Sequence, residues 1–480
     1  MTSSTEENRD RDGRGTLRPS GPGGGGIPQA VSDLWDWLSR WKDGAGGVHG
    51  YVVHHHRDNM RVMTPDTWTQ SACIMGCLNL YRKTSDEEWL ATATGLGEYL
   101  VKTYIHQLHV YANSNHEHKP LGKPEVVSNA LPSYALLELA GQRQELGLDG
   151  SAFSRVAEDN IRGFLLASWS QKEGAVASAD QGPDHFVLNM NGFCAMAFAS
   201  WSRLTGDTQI LRKNVNPIRD FIRRNQIRSG PRKGGFPYRK GSGNCISLYT
   251  LMTAYSLLAT SAGEDGGPYV ESALEAVKHV MTLYDAQEGL VSHQDRTSPP
   301  LWVPDTSLLI ATSKRLTESG HGDVAMAVDG LLTHQQASGG FPLSVGFSDL
   351  FDEKLLPCRP EVKRWRDCLP TPNWNSWVFW HLSEALETGV RLPPPRTEYP
   401  FVLTTDKEER EGPYTITDDG SAVTFKSQDG VLKGLFVKQH DAPLVCNIQE
   451  RDEGFRLRMR LQRYPSLARR AIFAGADLFG

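Results

Sequence analysis

Three short groups of polar side chains in this sequence carry residue types that transfer protons. The first two are Asp184-His185 and Tyr238-Arg239, and the third is His293 followed by Asp305. A carboxyl, an imidazole or a phenol held in a partly dry cleft works as a general acid or base near neutral pH. We predict that five of these side chains are catalytic: Asp184, His185, Tyr238, His293 and Asp305.

Aromatic and charged residues in the same connections fit the binding of a sugar. Indole rings stack on the flat apolar face of a sugar ring, hydroxyls bond to charged groups, and a uronate carboxylate binds arginine. We predict six residues of these types as substrate-binding: His54, His56, Asp66, Arg239, Trp302 and Trp374.

The candidate residues support two reaction types, and the sequence leaves both open. Cleavage of a glycosidic bond needs two carboxyl groups, which Asp184-His185 and Asp305 would supply. Elimination or epimerisation of a uronate needs a base near a neutralised carboxylate, and His293, Tyr238 and Arg239 would serve there.

Several of these residues also have a plainer structural interpretation. Asp66 and Asp305 stand at predicted helix starts, where a carboxylate caps free N–H groups. His54 and His56 fit a solvated loop equally well. No metal and no cofactor is predicted, because the four histidines with suitable spacings have no His-Glu-x-x-His or Cys-x-x-Cys pair beside them; they are His106, His109, His116 and His118.

Composition narrows the classes of partner. The chain has 480 residues, 39% of them hydrophobic, and a formal net charge of -5, so we expect neither nucleic acid nor a membrane as the partner. The basic stretch 219–232 is interpreted as a solvated helix face. Seven scattered cysteines indicate a reducing compartment, and we expect a cytoplasmic protein. A small molecule or an oligosaccharide is the expected partner, and the oligomeric state stays open.

A repeated turn organises most of the chain. A small or acidic residue, a glycine and an apolar residue recur at 46–48, 173–175, 234–236, 288–290 and 339–341. The first gap is about twice the others, so a variant turn is expected near 111–120. A fixed period of this length indicates a repeated supersecondary unit.

Each repeat contains two predicted helices. One is apolar nearly all round, as in a buried helix, at 68–81, 126–139, 186–204, 247–258, 306–316 and 374–386. Its partner has a charged face, at 86–105, 153–168, 209–225, 269–283 and 323–336. The sixth outer helix is missing from this count, and 27–42 is predicted to supply it by pairing with 374–386. Leu251 and Leu258 are expected to be buried on an inner helix.

This arrangement resembles the six-hairpin toroid of the (α/α)6 glycosidase-like enzymes, which include sugar hydrolases, lyases and epimerases. The resemblance covers 27–389 and rests on the hairpin period and on the Gly-Gly-Phe-Pro turns at 234–237 and 339–342. It implies an all-α (α/α)6 toroid whose loops build a binding mouth, where we expect Asp184, His185, Tyr238, Arg239, His293 and Asp305 to meet. A weaker resemblance connects the chain to terpene cyclases and protein prenyltransferases.

The two ends of the chain differ from the repeats. Residues 1–26 are rich in Gly, Ser, Thr and charged residues and are predicted to be a disordered tail. Residues 390–480 are predicted as a linker and a small C-terminal β-rich domain, because short β-type runs alternate with Asp-Gly turns. The expected function is a carbohydrate-active enzyme. A terpene cyclase-like enzyme and a non-catalytic binding scaffold are the alternatives.

Overall fold

The computed structural model describes residues 26–42, 44–53, 60–111, 124–178, 182–261, 267–294, 301–318, 326–335, 339–345 and 372–395, and seven strands between 398 and 477. His54 and His56 lie outside these residues. Residues 1–25 lie outside them as well, so the N-terminal tail stays a prediction. None of the helices in the described part is long and apolar enough to cross a membrane.

In the described residues, six inner helices alternate with six outer ones. The inner helices are α2 (Thr67–Thr84), α4 (Val127–Glu145), α6 (Leu188–Thr205), α9 (Ser247–Ala259), α11 (Val303–Glu318) and α13 (Pro372–Ala385). The outer helices are α1 (Gly26–Ser39), α3 (Glu87–Lys102), α5 (Ser151–Asn160), α7 and α8 (Thr208–Ile210 and Asn216–Arg224), α10 (Gly267–Met281) and α12 (Met326–Leu332). A π-helical stretch, Leu211–Val215, joins α7 to α8 as one outer helix.

The inner helices form a closed ring in which each one packs against the next, and α13 packs against α2. The outer helix α1 packs against α13, as predicted. Trp35 of α1 stacks on Phe379 of α13 with ring centroids 5.1 Å apart, and it meets Trp89 of α3 edge-on at 5.6 Å. The two ends of the repeat region therefore close the ring together.

The connection after each outer helix contains a tight turn with one residue in the left-handed region. Five of these residues are glycines, Gly46, Gly174, Gly234, Gly289 and Gly339, and the sixth is His109. The variant turn thus lies at 106–111, slightly before the predicted window. His109 has a φ of 55°. Its ring packs against Gly163, where an added Cβ would lie only 2.2 Å from the ring. The missing side chain at Gly163 makes room for the histidine.

Near the start of every inner helix lies a buried polar side chain. It bonds to the backbone of the residue that stands two positions after the left-handed residue of the preceding turn. Gln70 bonds to both N–H and C=O of Val48, Asn191 to both of Val176, Thr250 to both of Phe236 and Asn375 to both of Phe341. Asn129 and Thr306 accept the N–H groups of Tyr111 and Val291. All six side chains are at most 2% exposed. We call them the clamp residues.

Short β-pairs continue these turns and form the rim of the ring. They are β1–β2 (His49–Val53, Met60–Pro65), β3–β4 (Tyr104–Ile105, Val110–Tyr111), β5–β6 (Trp169–Ser170, Ala175–Val176), and a four-stranded sheet of β7 (Tyr284–Asp285), β8 (Leu290–Ser292), β9 (Leu301–Trp302) and β10 (Ser344–Val345). They fix the connections that lead into the inner helices.

The C-terminal region contains seven strands in two antiparallel sheets. One sheet has β11 (Glu398–Thr404), β12 (Glu409–Asp418), β13 (Ala422–Ser427) and β14 (Lys433–Val437), and the other has β15 (Leu444–Arg451), β16 (Gly454–Arg463) and β17 (Ile472–Asp477). The strands overlap the predicted β-type runs. That they form a separate domain stays a prediction.

One detail of the predicted core is wrong. Leu251 is fully buried, but Leu258 is only partly buried, because it lies at the last turn of α9, where the helix leaves the ring core. Cys73 and Cys77 are both buried on α2, and burial raises the pKa of both thiols.

Thr250→Val should destabilise the fold. The substitution keeps the shape of the side chain and leaves the buried N–H and C=O of Phe236 without their partner, which costs about 2 to 5 kcal/mol. Denaturant titration followed by tryptophan fluorescence measures it. Thr253→Val is the matched control, since Thr253 is equally buried on the same helix and its hydroxyl bonds only to the helix carbonyl of Tyr249. An equal loss in both variants would show that the clamp bond is not what stabilises the turn.

Candidate functional site

The candidate site lies at the mouth of the ring where the inner helices begin. His293 directly follows β8, Trp302 ends β9, and Asp305 is the third residue of α11. The backbone C=O of His293 accepts the N–H of Ser247 at 3.2 Å, which ties this connection to the first turn of α9. Two inner helices therefore fix the position of His293.

His293 and Asp305 form a hydrogen-bonded pair. The Nδ1 atom of His293 lies 3.1 Å from Oδ2 of Asp305. Burial raises the pKa of the Asp305 carboxyl, and the neighbouring His293 opposes that shift. With Nδ1–H donated to the carboxylate, Nε2 is the ring nitrogen left to accept a proton. The His293 side chain is 12% exposed and that of Asp305 is fully buried, so the histidine stands between the carboxylate and solvent.

A wall of aromatic rings runs from His293 around the mouth. The imidazole of His293 stacks on Trp302 with centroids 3.7 Å apart and planes 12° apart. Trp302 meets Trp374 edge-on at 5.8 Å, and Trp374 meets Trp68 at 6.4 Å. Trp68 donates its Nε1–H to Ser128, whose hydroxyl donates to Glu125. Three inner helices and two connections thus contribute to one continuous surface.

Tyr249, in the first turn of α9, also belongs to the site. It is not among the residues predicted from the sequence. Its ring is 4.9 Å from that of Tyr238. Burial raises the pKa of Tyr249, and the charges of Tyr238, Asp305 and Glu125 raise it further. The phenol therefore stays protonated and can donate a hydrogen bond.

Arg239 and His185 form the outer edge of the site. Nη1 of Arg239 is 3.3 Å from Nδ1 of His185, and Arg239 pairs with Val187 in an isolated β-bridge. The C=O of Tyr238 accepts the N–H of Leu188, the first residue of α6. Asp184 is exposed at the same edge. Tyr238, which follows this edge into the site, contacts the ring of Tyr249, and Tyr249 lies near enough to Asp305 to feel its charge.

Asp66 serves as a helix cap in this structure. It precedes α2, accepts the backbone N–H of Thr69 at 2.7 Å, and is 4% exposed. A Cβ on Gly50 would lie 1.9 Å from its Oδ2, so the backbone of Gly50 packs directly against the carboxylate. The Asp305 carboxylate lies inside the first turn of its helix and bonds to a histidine side chain.

No group of three or more His, Cys, Asp and Glu side chains suited to a metal occurs in the described part of the chain. His106 and His109 both approach Asp159, at 3.9 and 3.1 Å, whereas His116 and His118 lie outside the described residues.

The fold was compared with known proteins. The chain is similar to cellobiose 2-epimerase from Bacillus thermoamylovorans B4167, with 12% sequence identity, a TM-score of 0.55, and 75% of this chain and 99% of the other covered. It is similar to a D-mannose isomerase, with 12% identity, a TM-score of 0.53, and 75% and 97% covered. An unsaturated glucuronyl hydrolase specific for heparin gives 12% identity, a TM-score of 0.53, and 75% and 95% covered.

The fold is the six-hairpin glycosidase-like toroid. At 12% identity these likenesses establish the architecture alone. No protein-family profile and no curated protein matches the sequence.

The far end of the toroid is filled by a charged network from the inner helices. Glu384 of α13 accepts the hydroxyl of Tyr255 at 2.5 Å and pairs with Arg315 at 2.5 Å. Glu138 of α4 pairs with Arg82 at 3.3 Å and also with Arg203. These contacts occupy the end of the ring opposite the candidate site.

His381 lies on the axis of the toroid, between the site and this network. Its Nδ1 is 2.9 Å from the hydroxyl of Ser307, and its ring contacts Trp377 and Tyr255. Burial lowers its pKa from 6.5 to about 3, so His381 is neutral at physiological pH.

The stability of the protein should fall in acid because of His381. Its pKa is lower in the folded than in the unfolded chain, so the unfolded chain binds a proton first as the pH falls. The stability that the neutral His381 contributes is complete above pH 6.5 and is lost toward pH 3. The free energy of unfolding falls over this range by at most about 1.4 kcal/mol per pH unit. The free energy of unfolding, plotted against pH across this range, should have a shallower slope in His381→Gln than in the wild-type protein. His106→Gln, at a 67% exposed ring, should keep the wild-type slope. Equal slopes in all three proteins would contradict the prediction.

Proposed function

We propose that this protein is an enzyme that moves a proton on a sugar, as in epimerisation, isomerisation or elimination, with His293 as the base. The observation that carries the proposal is the buried Asp305 carboxylate 3.1 Å from Nδ1 of His293. A carboxylate in this position orients the imidazole and leaves Nε2 as the ring nitrogen that can take up a proton.

The reaction would begin with transfer of a proton from a sugar carbon next to a carbonyl group to Nε2 of His293. The electron pair of that C–H bond moves toward the carbonyl oxygen, which becomes an enolate. Tyr249, protonated beside Asp305, would donate a hydrogen bond to that oxygen. Return of the proton from His293 to the neighbouring carbon gives an isomer, and its return to the same carbon after the enolate has turned its other face to His293 gives an epimer. Elimination results when the enolate re-forms the carbonyl group and expels a substituent from the next carbon, which leaves with a proton taken from solvent.

The aromatic wall would hold the sugar ring during these steps. Trp302 and Trp374 meet edge-on and offer apolar surface to the C–H face of a pyranose. Trp302 also stacks on His293, so a sugar packed against this wall would lie beside the base. Two of the similar structures are named as an epimerase and an isomerase of sugars, which agrees with this chemistry.

Hydrolysis of a glycosidic bond is less well supported by the site. It needs two carboxyl groups facing each other across the bond. Asp305 is committed to His293, and Asp184 is exposed at the edge. The charged and hydrogen-bonding groups of the described site, His293, Asp305 and Arg239, suit the hydroxyls of a sugar better than an isoprenoid, and an ordered acid–base pair would have no purpose in a binding scaffold. The cytoplasmic location and the small-molecule or oligosaccharide partner remain parts of the proposal.

Asp305→Asn and His293→Asn test the proposal. Interconversion of sugars in a panel of aldoses, ketoses and uronates is followed by NMR. His293→Asn should lower kcat/KM by about 10³-fold and Asp305→Asn by about 10²-fold, because one removes the base and the other its orienting charge.

The fold should survive both changes, because asparagine is isosteric with aspartate and His293 lies at the partly exposed mouth. His106→Asn, at an exposed histidine beside Asp159, is the matched control and should keep full activity. Undiminished turnover in His293→Asn, or no turnover of any sugar by the wild-type protein, would reject the proposal.

A further inference from the structure

A basic loop joins the outer helix α8 to the inner helix α9. We define it as Arg228–Asn244. It contains five cationic residues and no Asp or Glu, although the chain as a whole has a net charge of -5. All five are exposed: Arg228, Arg232, Lys233, Arg239 and Lys240. A local positive surface of this kind attracts anionic ligands and raises their rate of encounter.

The basic loop ends at the candidate site. The C=O of Phe186 accepts the N–H of Lys240 at 3.0 Å, which fixes this part of the loop at the start of α6. Arg239 then lies against His185 at 3.3 Å, and Tyr238 turns inward toward Tyr249. An anionic group bound by Arg239 would therefore stand next to the proposed substrate position.

Carboxylates lie beside two of the lysines in the basic loop. Lys240 pairs with Glu173 at 2.6 Å, and Lys233 interacts with the charge of Glu275. Among the residues that the structure describes, no carboxylate forms an ion pair with Arg239, whose partner is His185. Asp184, beside His185, is exposed and weakens the field by one charge without pairing with Arg239. The guanidinium of Arg239 is thus held in place and still able to bind an anion through two N–H groups.

We propose that the basic loop binds the negatively charged groups of an acidic oligosaccharide, with Arg239 holding the carboxylate or sulfate of the sugar unit at the mouth. This inference rests on the proposed function, because it assigns the substrate class of the same site. A nucleic acid fits less well, since its backbone needs a longer basic track than one loop on a chain of negative net charge.

Binding is measured by calorimetry with three probes: a galacturonate tetrasaccharide, the same tetrasaccharide with its carboxylates reduced to alcohols, and a sulfated tetrasaccharide. We expect the charged sugars to bind and their affinity to fall as sodium chloride is raised. The reduced sugar should bind at least about 10-fold more weakly. Binding of the sulfated sugar alone would identify sulfate as the recognised group.

Arg239→Gln should weaken the charged probe about 10- to 100-fold and leave the reduced probe unaffected, because one charged hydrogen-bonding group is lost. Arg239→Lys keeps the charge without the planar guanidinium, so its affinity for the charged probe should lie between those of the wild-type protein and Arg239→Gln. Arg155→Gln is the matched control. Arg155 is exposed near the start of the outer helix α5, and outer helices start at the end of the toroid opposite the mouth.

Equal binding of the charged and reduced sugars would overturn the inference and leave the proposed function standing. An equal loss in Arg155→Gln, tighter binding of a single-stranded oligonucleotide, or no binding of any sugar would also overturn it. Charge-dependent binding that Arg239→Gln weakens, together with unchanged turnover in His293→Asn, would instead retain the inference and reject the proposed base.

Discussion

The toroid depends on one repeated interaction, the hydrogen bonds from the clamp residues to the backbone after each turn. A connection that passes over the end of a helix has N–H and C=O groups that no helix or sheet satisfies, and burying them unpaired is costly. Gln70, Asn191, Thr250 and Asn375 each satisfy both groups of one residue. Each clamp residue therefore fixes the position of a connection relative to the first turn of the inner helix that it enters.

The site follows from the position of the clamps. Tyr249, Asp305 and Trp374 each come one residue before a clamp residue, Thr250, Thr306 or Asn375. Equivalent positions on neighbouring helices of a ring point in equivalent directions, so these three side chains gather at the mouth. The repeat thus provides a scaffold, and chemistry is assigned by the residue type at one position in each unit.

The sequence predicts the scaffold well because its signals are local. Glycines at the turns need a φ that other residues rarely adopt, and the apolar helices have a clear period. The turn at His109 is harder to find, since its conformation depends on the space left by the distant Gly163. Leu258 is misplaced for a similar reason. Its burial depends on where α9 leaves the core, and periodicity does not define that point.

The site is only partly predictable from the sequence. His293 and Asp305 are selected by type, but their pairing depends on β9, which pairs with β8 and so places the start of α11 beside His293. Asp66 and Asp305 look alike in the sequence, and only the surroundings separate a cap from a member of a proton-transfer pair. Tyr249 is hidden among apolar residues of an inner helix, and the signal that identifies it is its place directly before a clamp residue.

The most direct test of proton transfer by His293 is the exchange of sugar hydrogens with solvent. The protein is incubated in D₂O with each sugar that it converts, and the products are examined by NMR and mass spectrometry. We predict deuterium at the carbon next to the carbonyl group, and its loss in His293→Asn. Conversion without deuterium incorporation, with a glycosidic bond cleaved in the products, would contradict a proton-transfer mechanism and indicate hydrolysis.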